Sequence, residues 1–240
     1  MRNATSKVAL VTGGAKRIGR AICLKLAQLG YDIALHYNAS SKEARELAQL
    51  IRQNTQHCEI FRCDLANESQ ISQLIKKVYA KYKRLDVLIN SASLFEKSNF
   101  KNETNALFNK HFNVNFKAPF ILTRDFARLA TKGQIINILD ANVVKNKTSH
   151  LSYLLSKKSL YELTKVAAVE LAPHIRVNGI APGFILPPKG ATENYLNRLR
   201  NKIPLQTQGS PEQIAFCVEF LLKNPYVTGQ VIFNDGGEHL

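Results

Sequence analysis

The sequence has few cysteines, and none of its apolar runs is long. Its four cysteines form no C-x-x-C pair, which is typical of reduced structural thiols and not of a disulfide framework or a zinc site. The first apolar run, Val8–Val11, is too short for a signal peptide. No stretch approaches the roughly 20 apolar residues of a membrane span. We therefore expect a cytoplasmic protein that binds no metal and no membrane.

Acidic residues are also scarce. The chain has 18 aspartates and glutamates against 33 lysines and arginines, which gives a formal net charge of +15. A basic protein can bind nucleic acid, but these cations are dispersed and no nucleic-acid motif accompanies them. We favour a solvated basic surface that steers a phosphate-rich cofactor, and we expect no nucleic-acid partner.

Short apolar runs alternate with longer segments of helical period. With 240 residues, of which 45% are hydrophobic, residues 1–240 suit a single domain. The alternation predicts an α/β fold with a doubly wound parallel sheet and helices on both faces. The predicted strands are Lys7–Val11, Asp32–Tyr37, Glu59–Arg62, Val87–Ile89, Gln134–Leu139, Arg176–Ile180 and Val231–Phe233. The predicted helices are Ile18–Leu29, Lys42–Asn54, Ser69–Lys83, Asn105–Ala130, Ser152–Leu171 and Pro211–Leu222.

One long segment, Gly183–Gln206, breaks this alternation. It contains proline and glycine, with a short helix expected near Asn194–Lys202. A long loop at the carboxyl end of a strand is usually functional, so residues 183–206 are predicted to form a substrate loop or lid.

A glycine-rich turn, Thr12–Gly19, joins the first strand to the first helix. Glycines in this position let the backbone approach a dinucleotide pyrophosphate, whose charge the helix N-terminus favours. The pattern has moderate specificity in this strand–turn–helix context, and a tight turn without a ligand is the other interpretation. The turn residues predicted to contact a cofactor are Gly13, Arg17, Ile18 and Gly19.

The second strand lacks the acidic residue that would bind the ribose 2′-hydroxyl of NAD. Its end reads His36, Tyr37, Asn38, Ala39 and Ser40. Arg17 can reach the same pocket, and a guanidinium suits a phosphate. We therefore predict NADPH as the cofactor, with His36, Tyr37, Asn38 and Ser40 around its adenosine end. A solvated charge at a helix start is the other interpretation of Arg17.

Two more strand ends should face the same crevice. Asp64 and Leu65 follow the third strand, where a carboxylate can accept from the adenine amino group or can cap the next helix. The fourth strand is followed by small residues that allow close approach of a cofactor, namely Asn90, Ser91, Ala92 and Ser93.

Three Y-x-x-x-K pairs occur in the chain, so spacing alone does not identify a catalytic pair. They are Tyr79/Lys83, Tyr153/Lys157 and Tyr161/Lys165. Only Tyr153 lies near the start of a helix that follows a strand end, at Leu139–Asp140, where ligands of such sheets bind. Asp140 precedes it by thirteen residues, which predicts a three-residue site that handles protons.

The three groups influence one another electrostatically. A free tyrosine has a pKa of about 10, and a neighbouring Lys157 ammonium and an oxidised nicotinamide favour its anion. Asp140 opposes that effect unless it is protonated or bonded to substrate, so the groups are expected to titrate together. A helix cap or a loop carboxylate is the other interpretation of Asp140.

These motifs together resemble the short-chain dehydrogenase/reductase family over essentially the whole chain. The resemblance rests on the glycine turn, Asp64, Asn90–Ala92, Asn115, Tyr153/Lys157 and Asn178–Gly183, in family order. It implies a Rossmann fold with strand order 3-2-1-4-5-6-7, a homotetramer, and cofactor contacts at Pro182 and Gly183. It also implies that Asn115 helps to hold a water of the proton relay and that Lys157 binds the nicotinamide ribose.

Within that family the chain resembles the pteridine reductases, in which an aspartate stands at the position of Asp140 in place of a serine. The resemblance implies that Phe95 stacks on the pterin and that Ser93 hydrogen-bonds it, which suits a flat ring rich in N–H donors. The C-terminal residues 235–240 resemble bacterial dihydromonapterin reductases. Ser91 replaces a common asparagine, and Ala39 stands where kinetoplastid enzymes carry an arginine.

The sequence therefore predicts an NADPH-dependent reductase of dihydropteridines, with dihydrobiopterin, dihydromonapterin or dihydrofolate as substrate. The proton would pass through Tyr153, Asp140, Lys157 and water. A 3-oxoacyl-[acyl-carrier-protein] reductase is the alternative enzyme, although such enzymes carry serine at position 140. A non-catalytic NADP-binding regulator is the alternative from another class, and the intact Tyr153/Lys157 pair argues against it.

Overall fold

Seven parallel strands form one sheet in the order β3-β2-β1-β4-β5-β6-β7. The computed structural model describes residues 6–54, 57–186 and 192–240. The strands are β1 (Val8–Val11), β2 (Asp32–Tyr37), β3 (Cys58–Arg62), β4 (Val87–Asn90), β5 (Gly133–Ile138), β6 (Ile175–Pro182) and β7 (Val231–Asn234). The predicted strand order is thereby confirmed.

Helices connect the strands and cover both faces of the sheet. They are α1 (Arg17–Gln28), α2 (Ser41–Gln53), α3 (Glu68–Tyr82), α4 (Asn105–Phe112), α5 (Ala118–Leu129), α6 (Leu151–Glu170), α7 (Glu193–Arg200) and α8 (Pro211–Lys223). A π-helical turn (Asn113–Lys117) joins α4 to α5, and a 3₁₀ turn (Ala141–Val144) follows β5.

Each face of the sheet buries its own hydrophobic cluster. On one face Ile22 of α1, Leu47 of α2 and Ile214 of α8 pack against the strands. On the other face Leu74 of α3 and Phe126 of α5 do the same. Burial of one such side chain contributes about 1.5–3 kcal/mol. The helices thus cover both faces of the sheet. The carboxyl ends of the strands are left for loops that can form a ligand site.

One predicted helix is interrupted in the structure. The segment predicted as a continuous helix over Asn105–Ala130 contains the π-helical turn, in which Asn115 is fully buried. The amide of Asn115 bonds to the backbone of Leu94 and to the hydroxyl of Ser156. Single π-turns of this kind are frequent at functional sites.

Strand β6 is longer than predicted. The sequence indicated Arg176–Ile180, whereas the strand runs from Ile175 to Pro182. Its last residues pair with β7, with Pro182 opposite Asn234. Pairing with an edge strand far along the chain is not visible in local periodicity, and here it brings Pro182 and Gly183 to the open edge.

The predicted short helix near Asn194–Lys202 is present as α7, although the stretch 187–191 of the predicted substrate loop lies outside the described residues. None of the described helices is long and apolar enough to cross a membrane. Within the described ranges, no group of three or more His, Cys, Asp or Glu side chains is arranged to hold a metal ion.

Candidate active site

The glycine turn is packed so closely that two of its glycines admit no side chain. Gly13 has φ of +64°, and a Cβ there would lie 2.9 Å from Cα of Ala92. A Cβ on Gly19 would lie 2.3 Å from the carbonyl oxygen of Gly13. Real Cβ atoms do not approach a backbone atom so closely, so both positions require glycine. The turn therefore lies directly against the loop that follows β4.

His36 supports this turn from behind. The backbone N–H of Gly13 donates to Nδ1 of His36 (3.0 Å), and Nε2 of the same ring donates to the carbonyl of Cys63 (3.0 Å). The ring is buried, and burial lowers the pKa of His36 to about 4. Its imidazole is thus neutral at physiological pH, with the proton on Nε2. We predicted a cofactor contact at His36, and the structure shows that its ring is engaged with the backbone of the turn.

Thr12 ties the turn to the end of β4. Its hydroxyl accepts from the backbone N–H of Ser91 (2.9 Å) and of Ala92 (3.0 Å). The side chain of Asn90 points into the sheet instead, where it donates to Asn137 (2.8 Å). Sequence reasoning did not single out the Thr12 hydroxyl, although its place at the start of the glycine turn was a usable signal.

The start of α1 is open to an anion. Its N-cap residue makes no side-chain cap, and its first turn contains no acidic residue. Arg17 is exposed with φ of +54°, and it forms no ion pair with the described residues, whereas Lys16 is paired with Glu43 (2.6 Å). A helix N-terminus with free N–H groups beside an unpaired guanidinium suits a phosphate.

The ends of β2 and β3 meet beside this helix start. Asn38 donates to Asp64 (3.4 Å), which also accepts from the backbone N–H of Ala66 (3.0 Å). The cap of α3 is Asn67, so the alternative that Asp64 caps this helix is wrong. The side chain of Ser40 makes no cap on α2 either. Leu65 is buried and Tyr37 is half-buried against the core.

Asp140, Tyr153 and Lys157 lie together past the end of β5, as predicted. The hydroxyl of Tyr153 donates to Oδ2 of Asp140 over 2.7 Å. The ammonium of Lys157 is buried and donates to the carbonyl of Ile138 (2.7 Å). The other interpretation of Asp140 also holds, because this residue caps the 3₁₀ turn through its bond from the N–H of Asn142.

The two other Y-x-x-x-K pairs lie elsewhere. Tyr79 packs into the hydrophobic cluster beneath α3. Lys165 stacks on the ring of Tyr161 (4.2 Å) and pairs with Glu162 (2.8 Å) at the surface. Among the contacts of the described residues, Tyr153 alone of the three tyrosines bonds to a carboxylate, which agrees with its position after a predicted strand.

Burial shifts the pKa values of Tyr153 and Lys157 in opposite directions. Burial, reinforced by the neighbouring Asp140 carboxylate, raises the pKa of Tyr153 well above its usual value. Burial lowers the pKa of Lys157 to about 8, and Asp140 opposes this effect. At neutral pH Tyr153 is therefore a protonated donor, and Lys157 remains a cation that deprotonates at moderately alkaline pH.

Asn115 holds the loop that borders the site. Its side-chain oxygen accepts from the N–H of Leu94 (2.8 Å), and its amide donates to the carbonyl of Leu94 (3.0 Å) and to Ser156 (3.1 Å). Ser93 donates to the same oxygen (3.3 Å). The side chain of Asn115 is thus committed to positioning this loop, and its expected water contact stays a prediction.

Three aromatic rings, those of Phe95, His150 and Tyr153, cluster together. Phe95 is 61% exposed. It stacks on His150 (4.2 Å between centroids, 12° between planes) and meets Tyr153 edge-on (4.6 Å). Phe95 therefore presents a largely exposed aromatic ring beside the candidate catalytic tyrosine. The sequence did not indicate His150, whose φ of +62° at the start of α6 is a property of the fold.

The C-terminal segment closes the edge of the site beyond β6. Gly183 bonds to the carbonyl of Asn234 (3.1 Å). Lys145 donates to the carbonyl of Glu238, and Leu205 bonds to Gly236 (3.1 Å). The C-terminus therefore connects the loop after Asp140 with the far end of the predicted substrate loop.

Known proteins match this chain along its whole length. Residues 13–239 match the short-chain dehydrogenase model described as enoyl-(acyl carrier protein) reductase. A 3-oxoacyl-[acyl-carrier-protein] reductase from Synechocystis is 33% identical over 97% of this chain and 97% of its own length. Pteridine reductase 1 from Leishmania tarentolae is 32% identical over 98% of this chain and 97% of its own.

A solved structure agrees with the same assignment. The crystal structure of FolM alternative dihydrofolate reductase 1 from Brucella suis, in complex with NADP, superposes with a TM-score of 0.92. The match is 36% identical in sequence and covers 98% of this chain and 96% of that chain. The protein belongs to the short-chain dehydrogenase/reductase family.

Proposed function

We propose that the protein is an NADPH-dependent reductase that converts dihydropteridines to tetrahydropteridines. The observation that carries the proposal is the 2.7 Å hydrogen bond from the Tyr153 hydroxyl to Asp140, beside the exposed ring of Phe95, which meets Tyr153 edge-on. A carboxylate at this point gives the site an acceptor for substrate N–H groups, which a serine hydroxyl supplies less strongly.

The cofactor end supports NADPH. The uncapped start of α1, the close-packed Gly13 and the exposed Arg17, which has no ion pair within the described ranges, fit a dinucleotide that carries an additional phosphate. When bound, the nicotinamide supplies the hydride that reduces a C=N bond of the substrate. The structures of the NADP-bound FolM reductases have the same fold over 98% of this chain.

The substrate end supports a flat nitrogen heterocycle. The exposed ring of Phe95 offers aromatic surface beside Tyr153, and planar rings stack on such surfaces. Asp140 lies within 2.7 Å of the hydroxyl of Tyr153, so a ring bound there meets a carboxylate and a phenol together. A pterin presents N–H donors along one edge, which an anionic acceptor binds strongly.

Tyr153 donates the proton in this proposal. Its raised pKa keeps the phenol protonated at neutral pH, and its bond to Asp140 directs it. Lys157 supplies a positive charge close to the site, which favours the phenolate left after donation. Since burial lowers the pKa of Lys157 to about 8, that charge is lost at alkaline pH.

The substrate assay tests this proposal. Purified protein is given NADPH with dihydrobiopterin, dihydromonapterin, dihydrofolate or an acetoacetyl thioester, and the absorbance of NADPH is followed. We expect turnover of at least one pterin and weak turnover of the thioester. Turnover of the thioester alone would contradict the proposal.

A matched variant separates the two candidate substrate classes. The identity to 3-oxoacyl-[acyl-carrier-protein] reductases, 33% for the Synechocystis protein, favours carbonyl reduction as the second candidate. Replacement of Asp140 by serine removes the carboxylate and retains a small hydrogen-bonding group. We expect Asp140→Ser to lose pterin turnover by about 100-fold or more, because a charge-assisted contact is lost. An equal loss of turnover with pterins and with the acetoacetyl thioester would show that Asp140 does not determine the choice of substrate.

We propose further that the protein forms a homotetramer in the cytoplasm. Exposed apolar side chains lie on two separate helical faces: Phe108, Phe120, Val166 and Val169 on α4–α6, and Phe216 and Phe220 on α8. Apolar surfaces of this kind mark protein–protein interfaces. The four cysteines are free thiols, as suits a reducing compartment. Light scattering of the purified protein measures the mass, and a monomer of 26.9 kDa would contradict the tetramer.

A further inference from the structure

Asn142 donates twice to the catalytic carboxylate. Its backbone N–H and its side-chain amide both reach Oδ1 of Asp140, each over 2.8 Å. The hydroxyl of Tyr153 reaches the other oxygen, Oδ2, over 2.7 Å. Asp140 thus accepts three hydrogen bonds, and Asn142 holds one oxygen while the other faces the proton donor.

The second donation comes from the side chain of Asn142. Asp140 caps the 3₁₀ turn Ala141–Val144 through the backbone N–H of residue 142, which any residue except proline provides. The side-chain amide adds a second bond that the turn itself does not need. The turn is closed independently by the bond from the N–H of Lys145 to the carbonyl of Asn142 (2.9 Å).

The direction of the Asn142 amide suits an anionic Asp140. Rotation of the amide by 180° would place its oxygen against Oδ1 of the carboxylate, where two acceptors repel each other. In the observed direction the amide oxygen is buried and has no hydrogen-bond partner among the described residues. A buried acceptor without a partner is costly, so the contact with Asp140 must outweigh that cost.

We propose that Asn142 is a positioning residue for the proton transfer, an inference that rests on the proposed reductase function. By holding Oδ1 with two donors, Asn142 fixes the plane of the Asp140 carboxylate. Oδ2 is then aimed at Tyr153 and at the edge of the substrate. Asn142 acts through Asp140 and touches no reacting atom.

Two variants of similar size test the proposal. Asn142→Leu removes the side-chain donor and keeps the backbone N–H. Asn142→Asp replaces the side-chain amide with a carboxylate beside Oδ1 of Asp140. We expect kcat to fall about tenfold for Asn142→Leu and about 100-fold for Asn142→Asp, because loss of a charge-assisted bond is less costly than like-charge repulsion. The KM for NADPH should stay within about twofold of the wild-type value, because the cofactor turn lies elsewhere.

Asn146→Leu is the matched control. Asn146 lies on the same loop, is exposed, and accepts only from Lys158 (3.0 Å) among the described residues. This variant should retain wild-type kcat. If Asn142 only stabilised the fold, both variants would have a lower melting temperature. Their kcat values would then not show the larger loss that we expect for the negatively charged Asn142→Asp.

A crystal structure of Asn142→Leu provides a readout that needs no substrate. We expect the Asp140 carboxylate to rotate and its 2.7 Å contact with Tyr153 to lengthen. An unmoved carboxylate together with unchanged kcat would overturn the proposal. If the wild type reduces no pterin, the proposed function fails, and the rotation of Asp140 still decides the role of Asn142.

Discussion

The two ends of the site are built from opposite kinds of groups. At the cofactor end, the glycine turn is held by neutral groups, the His36 imidazole and the Thr12 hydroxyl, bonded to backbone N–H groups. At the catalytic end, Asp140 and the buried Lys157 bring charge close to Tyr153. The comparison shows that one site can need both a rigid neutral support and an electrostatically sensitive cluster.

The difference follows from what each end does. A dinucleotide brings its own negative charges, so the turn needs only N–H donors and an exposed cation such as Arg17. Proton transfer requires groups whose protonation states change within reach of neutral pH. Burial lowers the pKa of Lys157 to about 8, within that reach. It raises the pKa of Tyr153, which keeps the phenol protonated as a donor.

The largest effect should come from breaking the catalytic end. Tyr153→Phe removes the hydroxyl that donates to Asp140 over 2.7 Å. We expect kcat to fall by about 10²–10⁴-fold, the usual contribution of a positioned proton donor. Affinity for NADPH, measured by fluorescence titration, should change little.

Tyr161→Phe provides the control for that comparison. Tyr161 belongs to a pair of the same spacing, but its ring is stacked by Lys165 at the surface. Its kcat should equal that of the wild type. An equal loss in both variants would show that the position of Tyr153 past β5 does not identify it as the proton donor.

A smaller effect should come from the cofactor end. His36→Leu removes the acceptor for the N–H of Gly13. We expect the KM for NADPH to rise about tenfold with kcat unchanged at saturation, because one buried backbone donor loses its partner. A fall in kcat with an unchanged KM for NADPH would contradict the assignment of cofactor binding to the glycine turn and of proton transfer to the catalytic end.

The shifted pKa of His36 also predicts that the free energy of unfolding depends on pH in the acidic range. The pKa of His36 in the fold, about 4, lies below its unfolded value of 6.5. Its contribution to the free energy of unfolding is thus complete above pH 6.5 and is lost as the pH falls towards 4. Denaturant unfolding of the wild type should show this loss. His36→Leu should lack it, and the exposed-histidine control His174→Gln should retain it.

The smallest effect concerns the free energy of unfolding, which burial of the Lys157 ammonium lowers. Lys157 has a folded pKa of about 8 against 10.5 for the free side chain, so burial of its charge destabilises the fold at neutral pH. We expect Lys157→Met to raise the free energy of unfolding by about 1–2 kcal/mol at pH 7, less than the full shift implies because the bond to Ile138 is lost.

The sign of this effect can be checked against pH. Between pH 8 and 10.5 the unfolded wild type binds the additional proton, so its deficit relative to Lys157→Met should shrink as the pH rises. Lys158→Met, next along the helix, is the control and should show no such trend. A variant less stable than the wild type at every pH would mean that Lys157 stabilises the ligand-free fold.

Local patterns predicted most of the fold. Runs such as Val8–Val11 and the helical period of Ile18–Leu29 indicated the sheet and its covering helices, and the strand order implied by the family resemblance is confirmed. The π-helical turn at Asn113–Lys117 is not visible in local periodicity, and the bonds of its Asn115 to Leu94 and Ser156 join segments that are distant in sequence. The extension of β6 to Pro182 depends likewise on its pairing with β7.

The candidate site divides in the same way. Tyr153 and Lys157 could be chosen from three pairs by their position after a predicted strand, and the contact of Tyr153 with Asp140 agrees with that choice. Asn142 and His150 could not be found, because neither spacing nor composition shows which loop residues will reach a carboxylate or a ring. His36 is predicted to contact the cofactor from its position, which stays a prediction, and only its buried contacts show that its ring also supports the glycine turn.

By itself, the sequence determined the alternation of strands and helices, the glycine turn and the presence of the catalytic residue types. Periodicity and turn chemistry act over a few residues, so they can be read directly along the chain. Only the tertiary structure decided the protonation states and the orientation of Asp140. Those properties arise from burial and from hydrogen bonds between segments far apart in sequence, and they exist only once the chain has folded.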